Sequence, residues 1–258
     1  MKTMYDPDNL QTEKIVFFDL LIDDINYDKL RTLVYSTIKA KQRLVINYAN
    51  AYTVVLIQRN KHLKKALQEA DILHSDGIGV WLGSKLFKGR DLKNRFNFTD
   101  CAVKMLDDFQ SWGLSIFLVG STNDILERAL KKVNLAYPKL KVVGSLNGFD
   151  DINSVKVLEK INEKKPDILW VGMGTPAQEL WIFENKNKLN CGVIQSVGDL
   201  ITFLAGKKPR GPLIFQRIGL EWLIRFLRHP IRYFNRYIIG VPVFLYLILK
   251  EYFTRYKF

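Results

Sequence analysis

The chain has 258 residues, 48% of them hydrophobic and 25% charged, enough apolar material to bury one substantial core and to exclude a disordered chain. A net charge of +13 would suit a nucleic-acid ligand, but +9 of it falls between Gly206 and Phe258, so the basic surface is C-terminal and not spread over the body. Cys101 and Cys191 lack framework spacing and read as small buried hydrophobes in a reducing compartment, and the polar stretch Met1 to Lys14 has no leader pattern, so the expected location is cytoplasmic.

In chain order, Ile15–Ile22 and Arg43–Asn47 read as strands, Tyr27–Lys41 and Tyr52–Glu69 as helices, and Ile72–His74 as a short strand ahead of Asp76-Gly77. From Gly113 onward the alternation is regular. Leu114–Val119, Lys141–Val143, Asp167–Val171 and Gly192–Val197 are β-rich, while Asp124–Ala136, Asn153–Lys164, Pro176–Lys188 and Leu200–Ala205 are amphipathic. Such βα repetition predicts an α/β, Rossmann-like, mainly parallel sheet with flanking helices, over a core of residues 1–206. The Gly- and Pro-rich stretch from Gly206 to Pro212 then separates the core from a C-terminal appendage, residues 207–258.

In the appendage, Arg217, Glu221, Arg225, Arg228, Arg232 and Arg236 recur at helical spacing beside Leu220, Leu223, Leu227, Ile231 and Phe234, with Pro230 set to kink or split the helix. Ile238–Leu249 is an apolar run of twelve residues, short of the ~20 needed to span a bilayer. With basic flanks at Arg236 and Lys250, it predicts a segment that docks on an anionic membrane surface; a helix packed on the core is the alternative.

Three strand-to-turn junctions carry the chemistry. Gly172-Met-Gly174-Thr175-Pro176 runs from a strand into a helix, where glycines let backbone amides approach a ligand and the helix N-terminus favours an anion. The same residues also make a ligand-free capping box, with Thr175 as cap and Gln178 three residues on, and the pattern favours neither reading. Gly120 and Gly198-Asp199 mark two further turns on the strand edge where open α/β sheets bind ligands, which together point to a nucleotide pocket. Asp76, beside Gly77 at the end of a short apolar strand, can stand in a cleft as a general base, although Asp-Gly is also tight-turn composition. No metal is expected: His62, His74 and His229 have no ligand spacing, and Asp6-Pro7-Asp8 lies in a polar segment that reads as a solvated turn.

Taken as an ordered set, these stretches resemble the WecG/TagA/CpsF glycosyltransferases. The matching pieces are Asn47-Tyr48-Ala49-Asn50, Ala70-Asp71 through Asp76-Gly77-Ile78-Gly79-Val80, Arg95 to Thr99-Asp100, and Ile116 to Gly120. Pro138 through Gly144 to Phe149, Gly172 to Glu179, Val197 to Gly206, and Leu220-Glu221-Trp222-Leu223 with Arg225, Pro230 and Arg232 complete them, over roughly residues 15 to 236.

The resemblance implies transfer of a sugar, often of N-acetylmannosamine type, from a UDP-sugar donor to an amino sugar on a polyprenyl diphosphate, with inversion and with neither metal nor cofactor. By position, Asp76 would be the base and Asn50 would orient a sugar. Gln178 and Glu179 would line the donor site with Tyr48, Arg95 and the glycine turns, and Arg217, Arg225 and Arg228 would meet diphosphate oxygens. The enzyme would act in cell-envelope polysaccharide or teichoic-acid-type synthesis, attached peripherally to the inner face of the membrane; self-association into a homo-oligomer stays open. Three departures leave donor and acceptor identity unspecified: Tyr48 where the family has Thr, Ala177 where it has Lys, and Arg210-Gly211-Pro212 for Arg-Ala-Pro. Two other classes compete. One is a catalytically inactive nucleotide-binding module docked on a membrane, which Asp76 argues against; the other is nucleic-acid binding through the tail, which the continuous apolar run argues against.

Overall fold

A computed structural model describes residues 12–87, 91–207, 215 and 221–255. It opens with a hairpin, β1 (Lys14–Phe17) and β2 (Leu20–Asp23), where the sequence suggests one strand. The two loop residues, Phe18 and Asp19, both take positive φ, the backbone of the tight turn whose twist suits a hairpin, but without the Asn-Gly or Asp-Gly that usually betrays it.

The order continues α1 (Tyr27–Lys39), β3 (Leu44–Ala49), α2 (Ala51–Ile57), α3 (Lys61–Gln68), β4 (Ile72–Ser75), α4 (Ile78–Ser84) and α5 (Phe98–Trp112). The expected single helix over residues 52–69 is thus two, because Asn60 starts a second one by accepting from the Leu63 N–H. Then follow β5 (Ser115–Gly120), α6 (Asn123–Ala136), β6 (Lys141–Leu146), α7 (Val155–Lys164), β7 (Ile168–Gly172), α8 (Ala177–Asn185), β8 (Val193–Ser196) and α9 (Leu200–Leu204).

The eight strands form one sheet in the order β1-β2-β4-β3-β8-β7-β5-β6, parallel except for the β1–β2 hairpin. At its amino edge, two aspartates of one type of position hold neighbouring strands together: Asp71 accepts from the Val45 N–H and Asp167 from the Ser115 N–H, both at 2.7 Å. Charged acceptors on strand-end amides make strong bonds and set the register from below. One face is buried under α1, α5, α6 and α9, with Trp170 of β7 fully enclosed and its indole N–H donating to Gln195 of β8. The other face packs against α7 and α8, and against α2, α3 and α4 toward the hairpin.

The tail folds onto this body. After residue 220 come α10 (Glu221–Arg228), α11 (Pro230–Phe234), a π-helical turn (Asn235–Ile239) and α12 (Gly240–Arg255), so Pro230 does split the helix, at His229. Phe244 and Ile248 of α12 are buried in the cluster formed by the hairpin, α2 and α4. The fit depends on two glycines one turn apart: a Cβ at Gly83 would lie 2.9 Å from Ile248, and one at Gly79 2.9 Å from Ala51 and 3.7 Å from Phe244. The opposite side of α12 leaves Leu245, Tyr246, Leu249 and Phe253 exposed. The helical stretch Asn235–Thr254, 20 residues with mean hydropathy 1.4, is long and apolar enough to cross a membrane, unlike the twelve-residue run considered alone; in this fold one of its sides lies on the protein.

At the carboxyl edge, glycines bring strand ends into backbone contact. Gly120 has φ +139°, and a Cβ there would sit 2.3 Å from the Gly172 carbonyl oxygen. Gly120→Ala should therefore lose about 1–3 kcal/mol from the backbone region alone, with more from the contact. A urea midpoint lowered at unchanged slope is the expected result, and a wild-type midpoint would refute the close approach.

Candidate active site

Two cavities meet at the carboxyl edge of the sheet, beneath the tail. The first, about 410 Å³, is walled by the ends of β3, β7 and β8 through Tyr48, Gly174, Thr175 and Gly198, and by α5 through Asn97 and Thr99. Lys207, Arg225, Arg228 and Arg236 give it a basic roof. The second, about 470 Å³, lies between α4 and α12 and is mostly apolar, with Asn50, Arg95 and Glu221 among its few polar residues. Tyr52, Asp76, Asn97, Arg225 and Arg236 line both.

Asp76 follows β4 directly; its N–H donates to the Ala49 carbonyl at 2.9 Å, and Gly77, at φ +77°, turns the chain into α4. Burial raises the Asp76 carboxyl above the ordinary aspartate range, while Arg225, Arg236 and a bond from the Phe98 amide pull it down and Glu221 pushes it up. Burial outweighs the two arginines, so the carboxyl takes up a proton more readily than a surface aspartate. Just beneath, His74 is fully buried against the Phe96 ring, and its imidazole, lowered to about 4 by burial, is neutral.

Gln178 and Glu179 are fully buried behind the wall of the first cavity. The Gln178 Oε1 accepts from the N–H groups of Gly174 and Gly198, each at 3.1 Å, and its Nε2 donates to the Tyr48 hydroxyl and to Glu179 Oε1. Thr175 also donates to Glu179 Oε1, which leaves the Tyr48 hydroxyl to donate across 3.4 Å to Thr175. The capping box does not form: Pro176 takes the cap position of α8, Gln178 reaches Gly174 and Gly198 instead of the cap, and the Thr175 hydroxyl turns to a carboxylate. Burial pushes the Glu179 carboxyl up to about 6 against those bonds, and its Oε2 has no hydrogen-bond partner among the described residues. Burial, with Glu179 and Asp76 nearby, likewise raises the Tyr48 phenol.

The other expected residues divide. Asn50 caps α2, accepting from the Thr53 N–H, and lies with Arg95 in the second cavity instead of beside the glycine turns. Gly120 and Gly172 pack strand ends; a Cβ at Gly172 would come 2.8 Å from the Gly198 carbonyl oxygen. Arg217 and Asp6-Pro7-Asp8 lie outside the described residues.

Sequence reasoning missed Asn97, Tyr233 and Arg236 as site residues. Asn97 accepts from the Thr99 N–H at the start of α5, a cap readable from Asn-Phe-Thr-Asp. Tyr233 donates to Asp199 at 3.1 Å, tying α11 to the turn after β8. Arg236, taken only as a basic flank, sits in the π-helical turn with its guanidinium over the Tyr52 and Tyr237 rings; π-turns often mark functional sites. Among the described residues no three His, Cys, Asp or Glu side chains are grouped to hold a metal.

An α/β sheet with a buried carboxylate and a basic roof at its carboxyl edge is the frame of a group-transfer enzyme acting on an anionic ligand. The model of the glycosyl transferase WecG/TagA/CpsF family matches residues 15–258, and the chain belongs to that family; it is a glycosyltransferase. It is similar to N-acetylglucosaminyldiphosphoundecaprenol N-acetyl-beta-D-mannosaminyltransferases of Staphylococcus aureus, among them those of strains MW2 and NCTC 8325, at 29% identity over 206 residues, 80% of this chain and 76% of each relative.

The Glu179 carboxyl gives a pH signature. Its value in the folded protein, about 6, lies above the ordinary 4.5, so the stability it contributes is full below 4.5 and lost as pH rises through 6. That gap corresponds to about 2 kcal/mol. Because Asp76 is shifted in the same direction, the comparison is with Glu179→Gln: denaturant unfolding of wild type and variant should show the wild type losing about 2 kcal/mol relative to the variant between about pH 4 and 7. Parallel stability curves would refute the assignment.

Proposed function

We propose that the enzyme moves a sugar, of N-acetylmannosamine type or another hexose, from a UDP-sugar to a sugar carried on a polyprenyl diphosphate, with inversion, at the inner face of the cell membrane. The observation that carries this reading is the position of Asp76 on the boundary of both cavities. The polar cavity, with glycine turns below and Lys207, Arg225 and Arg228 above, suits a nucleoside diphosphate sugar. The apolar one suits a lipid-linked acceptor, and the relatives are named for an acceptor of that kind. In the proposed reaction Asp76 accepts the proton of the acceptor hydroxyl as its oxygen forms a bond to the anomeric carbon and the bond to UDP breaks; UDP leaves with the electron pair. Arginine forks take the negative charge that builds on the departing diphosphate, so the step runs without a divalent ion.

Asp76→Asn should cut turnover by about 10²–10⁴-fold while UDP affinity is kept, because the amide preserves shape but accepts no proton. UDP release with a short-chain lipid diphosphate acceptor, run in excess chelator, is the assay. An Asn variant near wild-type turnover would remove Asp76 as base; no turnover with any UDP-sugar would favour the non-catalytic docking module.

Membrane attachment is proposed from the same tail. Leu245, Tyr246, Leu249 and Phe253 form an exposed apolar strip on α12, and Lys250 lies within it, where each basic residue contributes about 1 kcal/mol near an anionic leaflet. The chain should co-sediment with anionic liposomes, less so at high salt, and Leu245→Asp with Leu249→Asp should abolish this. Equal binding to neutral vesicles, or an unaffected double variant, would refute it.

A further inference from the structure

Resting on the reading just given, we propose that the apolar cavity between α4 and α12 is a binding groove for the first isoprenoid units of the acceptor, so that the lipid is recognised by its chain as well as by its diphosphate. The groove has a polarity gradient. Its inner end holds Asp76, Asn50, Arg225 and Arg236; its walls are Ile78 and Leu82 from one helix and Val241 and Ile248 from the other. At the outer end Leu82, Leu86 and Leu245 are 50%, 49% and 55% exposed, three large apolar side chains on two separate helices around one opening.

This order of chemistry matches one class of ligand. Two guanidinium groups beside a general base suit a diphosphate ester, and the adjoining apolar walls suit a hydrocarbon joined to it with no polar linker between. A phospholipid would put ester carbonyls and glycerol oxygens where Ile78 and Val241 stand. The volume, about 470 Å³, is that of a small-molecule site and holds only the start of a long chain, the rest passing out between the exposed leucines toward the bilayer. One wall of the groove belongs to α12, which meets α4 closely at Gly83 through Ile248, so the groove exists only while the tail is docked.

The test separates chain recognition from membrane partitioning by leaving the membrane out. Farnesyl diphosphate and methyl diphosphate, both below any micelle concentration, are titrated against the full chain by calorimetry. Farnesyl diphosphate should bind at least tenfold tighter, about 1.4 kcal/mol. Val241→Trp, which fills the groove, should bring the two ligands within about twofold of each other without weakening methyl diphosphate. Should that variant fail to fold, Leu82→Ser should narrow the gap in the same direction. Equal affinities in the wild type, or a gap that both variants leave intact, would overturn the groove. Light scattering runs alongside: a dimer that farnesyl diphosphate does not compete with, and that Val241→Trp dissociates, would seat a second copy there and overturn it too.

Transfer to matched sugar diphosphates with methyl and farnesyl tails tells the two proposals apart. Turnover that ignores the tail leaves the transferase reading standing and sinks the groove. Tight, groove-dependent farnesyl binding without turnover on any UDP-sugar does the reverse.

Discussion

A primary amide has two donor hydrogens and an oxygen with two lone pairs, and Gln178 uses all four inside the protein. Its oxygen holds the amides that follow β7 and β8, and its nitrogen holds the Tyr48 hydroxyl at the end of β3 and the carboxylate of Glu179. Three strand ends are thereby fixed relative to one another at the edge where the site forms. The arrangement tolerates no slack, because each group left unbonded at that depth would cost about 1–3 kcal/mol. The glycines serve the same constraint: a Cβ at Gly172 would meet the Gly198 carbonyl oxygen and one at Gly198 the Tyr48 hydroxyl, groups that Gln178 draws together.

The second half of the site is brought by the tail. Asp76 comes from the sheet, but the charges that govern it, Arg225, Arg236 and Glu221, all come from residues beyond 220. Docking rests on Phe244 and Ile248 set over glycines of α4, and on the bond from Tyr233 to Asp199. An undocked tail would leave Asp76 without Arg225, Arg236 and Glu221. The residues that dock the tail therefore also bring these charges to Asp76.

How much of this was legible varied with the range of the interaction that decides it. The βα alternation from residue 113 is a local, periodic signal, and the observed strands and helices follow it closely. The hairpin was missed because Phe18-Asp19 carries no turn composition, and the break at Asn60 because helical apolar spacing persists across it. Thr175 and Gln178 fit a capping box by spacing; the longer-range bonds to Gly198 and Tyr48 that displace it have no trace in local sequence. Asp76 stood out by composition, whereas Arg236 looked like a solvated flank until the tail's path put it over Tyr52. Arg95 and Asn50 were expected at the site from the family resemblance alone, and which cavity they line depends on where α4 and α12 lie.

The position of the arginines has a consequence for the proposed reaction. Arg225 and Arg236 oppose the upward push that burial exerts on the Asp76 carboxyl. A diphosphate entering between them neutralises part of that positive charge while excluding water from the carboxyl, and both changes raise its affinity for a proton. On the proposed mechanism, the affinity of Asp76 for a proton would thus rise as the substrates arrive, without any movement of its own. Glu179 does not line either cavity; it sits behind the wall, where its Oε1 accepts from Thr175 and Gln178. Two buried carboxyl groups are in this way divided by surroundings: Asp76 lines both cavities, where the proposed reaction needs its base, and Glu179 lies behind the wall bonded to Thr175 and Gln178.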